Sequence, residues 1–180
     1  LGEARAASLA AHGLSDRSPG VAFGEAVAAV ILAIRANDGG AQAQIPYTAP
    51  GAGTPGVWVP VGPAAPGTPA WGKVRPWVVR DLWPFQPAGP PPLHSRRYAR
   101  DYNEVKDVGA LMSPSRTDEQ ANIARFWLAS PSVIWNGVAR QAIHARGLDP
   151  SATARTFALL YLAAADASIV CWDTKYSVNF

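Results

Sequence analysis

The chain has little of the chemistry that usually marks a site. Its single cysteine, Cys171, excludes an internal disulfide and any cysteine-based zinc centre. The three histidines, His12, His94 and His144, are far apart and lack metal-ligand spacing, so no metal site is expected. Charged residues are scarce as well, 16% of 180 positions, with a net charge of +3 and a pI of about 9.3. So small an excess makes no nucleic-acid footprint, which needs Lys and Arg clustered on one face. The one local cluster, Arg96, Arg97 and Arg100, is followed by Asp101, Glu104 and Asp107 and reads as a solvated, self-paired helix face. Long apolar runs are also missing. The richest window, residues 157–172, is dominated by alanine and interrupted by Asp166, whereas a spanning helix needs about 20 predominantly apolar residues. No membrane span is expected. The opening LGEARAASLAAHGL reads as the middle of a helix with no cap before it, which predicts a truncated or processed start and leaves the compartment open.

What the chain does contain falls into three blocks. Residues 1–40 are rich in alanine and helical. Ser18-Pro19 supplies an N-cap followed by proline at the first helical position. Val27, Val30, Ile31 and Ile34 then form one apolar stripe, and Gly39-Gly40 is the expected stop. Residues 41–95 are the opposite: 13 of the 17 prolines lie between Pro46 and Pro92, with four of the seven tryptophans (Trp58, Trp71, Trp77, Trp83) among them. Proline and glycine alone would suggest disorder, but solvated linkers seldom carry tryptophans. The block therefore reads as an ordered wrap over a helical core, its prolines lowering the entropy cost of an irregular path, with an interdomain linker or a proline-rich ligand for partner domains as the rival reading.

Residues 96–180 return to helical patterning. Ser95 can cap a helix carrying Tyr98, Tyr102, Val105 and Val108, and Thr117-Asp118-Glu119-Gln120 is a capping box. Pro131 opens the next helix, which closes at Gly147, and Asp149-Pro150 opens the last. No alternating apolar stretch reads as a strand, so the class is all-α: a multi-helix bundle with a long irregular Pro/Trp segment. The last helix carries no glycine, and no proline after its first position, so it predicts a run to Phe180 without a stop, some 45 Å long. One face carries Phe157, Tyr161, Ala164, Ser168, Trp172 and Lys175. A lysine ending such a stripe is by default an amphipathic side chain reaching out of a packed face. The other reading is a cation at the rim of an anion pocket, with Trp172 as a wall. Asp166 and Asp173 read as caps, ion pairs or surface groups and are assigned no catalysis.

The tail DASIVCWDTKYSVNF (166–180) resembles the segment of vanadium-dependent haloperoxidases in which a lysine is followed, seven residues on, by Arg-Pro. That family shares a superfamily with type 2 phosphatidic acid phosphatases and bacterial acid phosphatases. Further segments resemble its bacterial members in order: VAAVILAIRANDG (27–39), PGVWVPVGP (55–63), PAWGKVRPW (69–77), the run from Tyr98 through NEVKDVGALMSPSRTDEQANIARFW, and WNGVAR (135–140). The resemblance implies that this chain is the N-terminal helical portion of a larger single-domain enzyme, with most of the active site in a C-terminal half not present here. It implies a vanadate cofactor, with hydrogen peroxide and a halide, chloride or bromide, as substrates. It makes Lys175 a vanadate contact and the one catalytic residue present, and it places Trp172 at an aromatic position beside the halide path. A lysine donating to the reactive oxygen withdraws charge and makes that oxygen more electrophilic. No Arg-Pro, Pro-Ser-Gly-His or later Ser-Arg…Gly-His follows Lys175, so the chain by itself is expected to be inactive. Two alternatives stand beside this reading: part of a related phosphatase using the same anion cradle, and a non-catalytic helical scaffold or interaction module. A homo-oligomer is compatible with all three.

Overall fold

The computed structural model describes residues 2–63 and 65–180. Six α-helices follow one another: α1 (Gly2–Ala11), α2 (Pro19–Arg35), α3 (Arg96–Gly109), α4 (Asp118–Phe126), α5 (Pro131–Arg146) and α6 (Pro150–Val178). Short 3-10 turns occur at Gly40–Gln42, Trp71–Lys73 and Trp83–Phe85, and there is no strand among the described residues. The chain is all-α, as the periodicity requires.

Local chemistry accounts for most helix ends. The Ser95 hydroxyl accepts from the Tyr98 amide (3.1 Å), and the Asp149 carboxylate accepts from the Ala152 amide (2.8 Å). The capping box on α4 closes in both directions. Thr117 Oγ1 accepts from the Gln120 amide (3.2 Å) while Gln120 Oε1 accepts from the Thr117 amide (2.9 Å). Thr117→Ala removes one arm of this reciprocal cap and is expected to cost about 1 kcal/mol, read as a lower urea midpoint at unchanged slope. Gly147 ends α5 with φ 58°, the left-handed conformation that glycine accepts without a Cβ clash.

Two ends differ from the sequence expectation. Helix α2 stops at Arg35 rather than at Gly39-Gly40. Arg35 pairs with Asp38 at 2.7 Å, and Asp38 Oδ1 accepts from the Gly40 amide at 2.8 Å, so a tight side-chain-stabilised turn replaces the last helical turn. Ser18 does not cap α2, because its hydroxyl accepts instead from the Ser15 amide (3.1 Å). Helix α6 also ends inside the chain. Asn179 takes φ 54°, its amide donates to the Lys175 carbonyl (3.2 Å), and its Nδ2 donates to the Tyr176 carbonyl (2.9 Å). Asparagine is the residue after glycine best able to hold that conformation.

The chain divides into two compact units, residues 1–41 and 42–180. In the first, Arg5 of α1 pairs with Asp16 in the connection to α2 at 2.7 Å and with Glu25 of α2. The apolar stripe of α2, including Val27, Val30, Ile31 and Ile34, is exposed.

In the second unit several stretches of the irregular block lie along the C-terminal half of α6, through Tyr47, Gly67, Trp71, residues 77–79 and Gln86. A small core forms where Ala43, Val74 and Ile169 pack together, with Trp71 and Leu82 against them. The four tryptophans of the wrap are not equal partners. Trp71 is half-buried and donates its indole N–H to Ser168 Oγ (3.1 Å), whereas Trp83 is 75% exposed. Helices α5 and α6 are tied by Asn136 Nδ2, which donates to the Tyr161 hydroxyl (2.7 Å). The expected basic cluster is a solvated, self-paired face: Arg97 and Arg100 both reach Asp101, at 3.7 and 3.0 Å.

Much apolar surface nevertheless remains in water. Ile123, Phe126 and Trp127 on and beside α4, and Val133, Trp135 and Val138 on α5, are all exposed. Helix α6 is, by length and composition alone, long and apolar enough to cross a membrane, which the alanine-rich sequence had not suggested. Its mid-length carboxylate and its C-terminal half are engaged by the wrap.

Candidate functional site

The wrap is pinned to α6 at successive turns, and those pins organise the surroundings of Lys175. The first is Asp166. This carboxylate is 3% exposed and accepts three consecutive backbone amides, those of Trp77 (2.6 Å), Val78 (2.8 Å) and Val79 (2.9 Å). Three N–H groups converging on one carboxylate form an anion nest, here filled by the protein's own side chain. Asp166 was expected to be a cap, an ion pair or a surface group. It is a buried structural anchor, and its position as the only carboxylate within an Ala/Leu-rich stretch is the signal that marked it.

About two turns further on, the turn Trp71–Lys73 lies directly on the helix. A Cβ added to Gly72 would stand 2.5 Å from Asp173 Cα and 2.6 Å from its backbone nitrogen, so only glycine fits. Asp173 also accepts from Gln86 Nε2 and lies 4.0 Å from the Lys73 ammonium. It is therefore spent on holding the wrap. The last pin is at the helix end, where the Trp58 amide donates to the Asn179 carbonyl (2.8 Å) and the Tyr47 hydroxyl donates to Asn179 Oδ1.

Lys175 projects from this clasped stretch and is exposed. Among the described residues no carboxylate lies within ion-pair distance of it. Its ammonium instead lies 5.4 Å from the Trp172 ring centroid and 5.7 Å from that of Tyr176, within reach of a cation–π attraction. Trp172 Nε1 donates to the Gly67 carbonyl (3.0 Å), and so does the Tyr176 hydroxyl (2.9 Å). Tyr47 packs edge-on against Tyr176 with centroids 4.8 Å apart. Burial, with Tyr47 beside it, pushes the Tyr176 phenol up from its ordinary value, so it remains a neutral donor across the neutral pH range.

Lys175 also stands at the end of an open groove of about 930 Å³. Leu159, Leu162 and Val170 of α6 line it on one side, and Val78, Phe85 and Pro87 of the wrap on the other. Its polar edge is made by Thr174, Cys171 and Lys175. The Thr174 hydroxyl is buried there with no hydrogen-bond partner. The two sequence-expected site residues, Trp172 and Lys175, are thus brought together. Tyr47, Gly67 and Tyr176 complete their surroundings and were not anticipated. His144, by contrast, is exposed in the last turn of α5. Among the described residues no group of three or more His, Cys, Asp or Glu could hold a metal ion.

An all-α chain whose longest helix is clasped by an irregular wrap and carries an exposed lysine beside an apolar groove is the class that fold and site define. A search of solved structures finds that it resembles a bacterial vanadium-dependent iodoperoxidase, with 30% identity and a TM-score of 0.72 over 89% of this chain. The match covers 42% of that protein, so this chain spans less than half its length. No protein-family model matches the sequence, and no curated protein does.

Proposed function

We propose that this chain is the N-terminal helical portion of a vanadium-dependent haloperoxidase-like enzyme, a peroxidase that oxidises a halide with hydrogen peroxide. In this reading Lys175 is one of its vanadate contacts and Trp172 is an aromatic wall beside that site. The observation that carries the reading is the agreement in fold and sequence with the iodoperoxidase over 89% of the chain. Two features support it. Lys175 has an ammonium unneutralised by any carboxylate among the described residues, which is what an oxyanion contact requires. The apolar surface left in water and the groove beside α6 are what a helical framework exposes when further helices normally cover it.

The residues present do not by themselves fit vanadate. Among the residues lining the groove, Lys175 is the single cation and there is no histidine to ligate a metal. A lone exposed ammonium is screened by water and holds an oxyanion weakly. The remaining contacts belong to polypeptide outside this sequence, and the chain alone is inactive in this reading. The halide is chloride, bromide or iodide, the last being the substrate named for the similar structure.

The test begins with the reading frame. The proposal expects it to continue beyond Phe180 into Arg-Pro, with the arginine at position 182, and then into histidine motifs. In that longer protein, orthovanadate should raise the melting temperature, and Lys175→Ala should abolish most of the rise. A frame that closes at Phe180, or vanadate-dependent bromination by the 180-residue chain itself, would overturn the proposal. Phosphomonoester hydrolysis without vanadate would favour the phosphatase alternative.

A further inference from the structure

We propose that Tyr176, Trp172 and the backbone carbonyl of Gly67 form an aromatic platform that positions the Lys175 ammonium without neutralising it; this deepens, and rests on, the reading of Lys175 as an anion contact. Trp172 and Tyr176 are four residues apart and therefore lie on one face of α6, with Lys175 immediately beside them. A carbonyl oxygen has two lone pairs, and Gly67 uses its oxygen to accept from both rings, at 3.0 and 2.9 Å. One atom of the wrap therefore fixes the orientation of two side chains on the helix. Tyr47 backs Tyr176 from the wrap, its ring edge-on at 4.8 Å and its hydroxyl bonded to Asn179.

The consequence for Lys175 is electrostatic. A long, flexible lysine side chain needs something to hold its head in one place. A carboxylate would do so, but would cancel the charge an incoming anion needs. The faces of Trp172 and Tyr176 attract the ammonium through their quadrupoles and carry no net charge, so its N–H donors remain available to an oxyanion. Asp166 and Asp173, the nearby carboxylates on α6, are held instead by wrap amides and by Gln86 and Lys73. Trp172, Tyr176 and Gly67 are positioning residues in this scheme.

The chain contains three lysines, Lys73, Lys106 and Lys175, which makes a direct test practical. Reductive methylation with 13C-formaldehyde gives one dimethylamine signal per lysine, assigned by Lys175→Arg and Lys106→Arg. Ring currents should move the Lys175 signal upfield of the other two. Tyr176→Leu should return it most of the way, and Tyr176→Phe, which keeps the ring but loses the bond to Gly67, should return it partly. A wild-type Lys175 signal coincident with that of exposed Lys106 would overturn the platform, and this comparison is made in the wild-type chain once the conservative Lys→Arg variants have assigned the signals. The readout also needs no anion, so it separates from the reading of Lys175. In the longer protein Tyr176→Leu should weaken orthovanadate binding about two- to fivefold. If Lys175→Ala left that binding unchanged, the anion contact would fail while the ring-current shift survived.

Discussion

Gly72→Ala is expected to be among the most damaging single substitutions in this chain, costing about 3 kcal/mol. A methyl group at this position would stand 2.5 to 2.8 Å from the Asp173 backbone nitrogen, Cα and Cβ, far inside van der Waals contact. The atoms it meets are mainly helix backbone, which cannot rotate aside as a flexible side-chain tip can. The turn Trp71–Lys73 must therefore lift away from α6. That movement pulls Val74 and Trp71 out of the small core they form with Ala43 and Ile169. It also strains the bond from the Trp71 indole to Ser168. Urea titration followed by tryptophan fluorescence, with circular dichroism at low denaturant to check helix content, measures the loss. Stability equal to wild type would mean that the turn does not lie on the helix as described.

Asp166→Ala should be comparably severe, also about 3 kcal/mol. The substitution leaves the amides of Trp77, Val78 and Val79 without the acceptor that gathers them. Bonds to a charged acceptor contribute more than neutral ones, and buried amides left unpaired cost their full desolvation. A simple sum over three bonds would overestimate the effect, because the Val78 side chain is exposed and water can reach part of this segment once the carboxylate is gone. Asp166→Asn retains one oxygen and should lose less. Amide hydrogen exchange gives the sharper measurement: protection of residues 77–79 should fall in both variants, while that of α3 and α4 stays unchanged. Protection that survives Asp166→Ala would show that the wrap is held by other contacts.

Both substitutions act on the wrap rather than on helix formation. With so few fully buried residues, the second unit depends on specific side-chain-to-backbone bonds more than on a large apolar core. The same bonds set the surroundings of Lys175, since Gly67, Trp71 and residues 77–79 all belong to one irregular segment laid along α6. Loosening the wrap should therefore blur the lysine's surroundings as well as lower stability.

Local chemistry was legible in the sequence. The 3.6-residue periodicity, Ser95, the Thr117-to-Gln120 box, Pro131, Gly147 and Asp149-Pro150 determined where most helices run, because caps and stripes act over three or four residues. The tryptophans among the prolines led to the expectation of an ordered path over residues 41–95, and of the four Trp71 is the one bonded to α6. The apolar face of the last helix showed only a stripe ending in a lysine, and it was the family resemblance that named Trp172 and Lys175 as candidates. Tertiary structure alone decided the rest. The bonds of Asp166 to the amides of residues 77–79 join positions 87 to 89 apart in the chain, and those of Gly67 to Trp172 and Tyr176 join positions 105 and 109 apart. No local pattern encodes which turn of a proline-rich segment meets which turn of a helix. Gly72 reads as an ordinary turn glycine until a helix backbone lies against it, and Tyr176 reads as one more aromatic until a carbonyl fixes its ring beside a lysine.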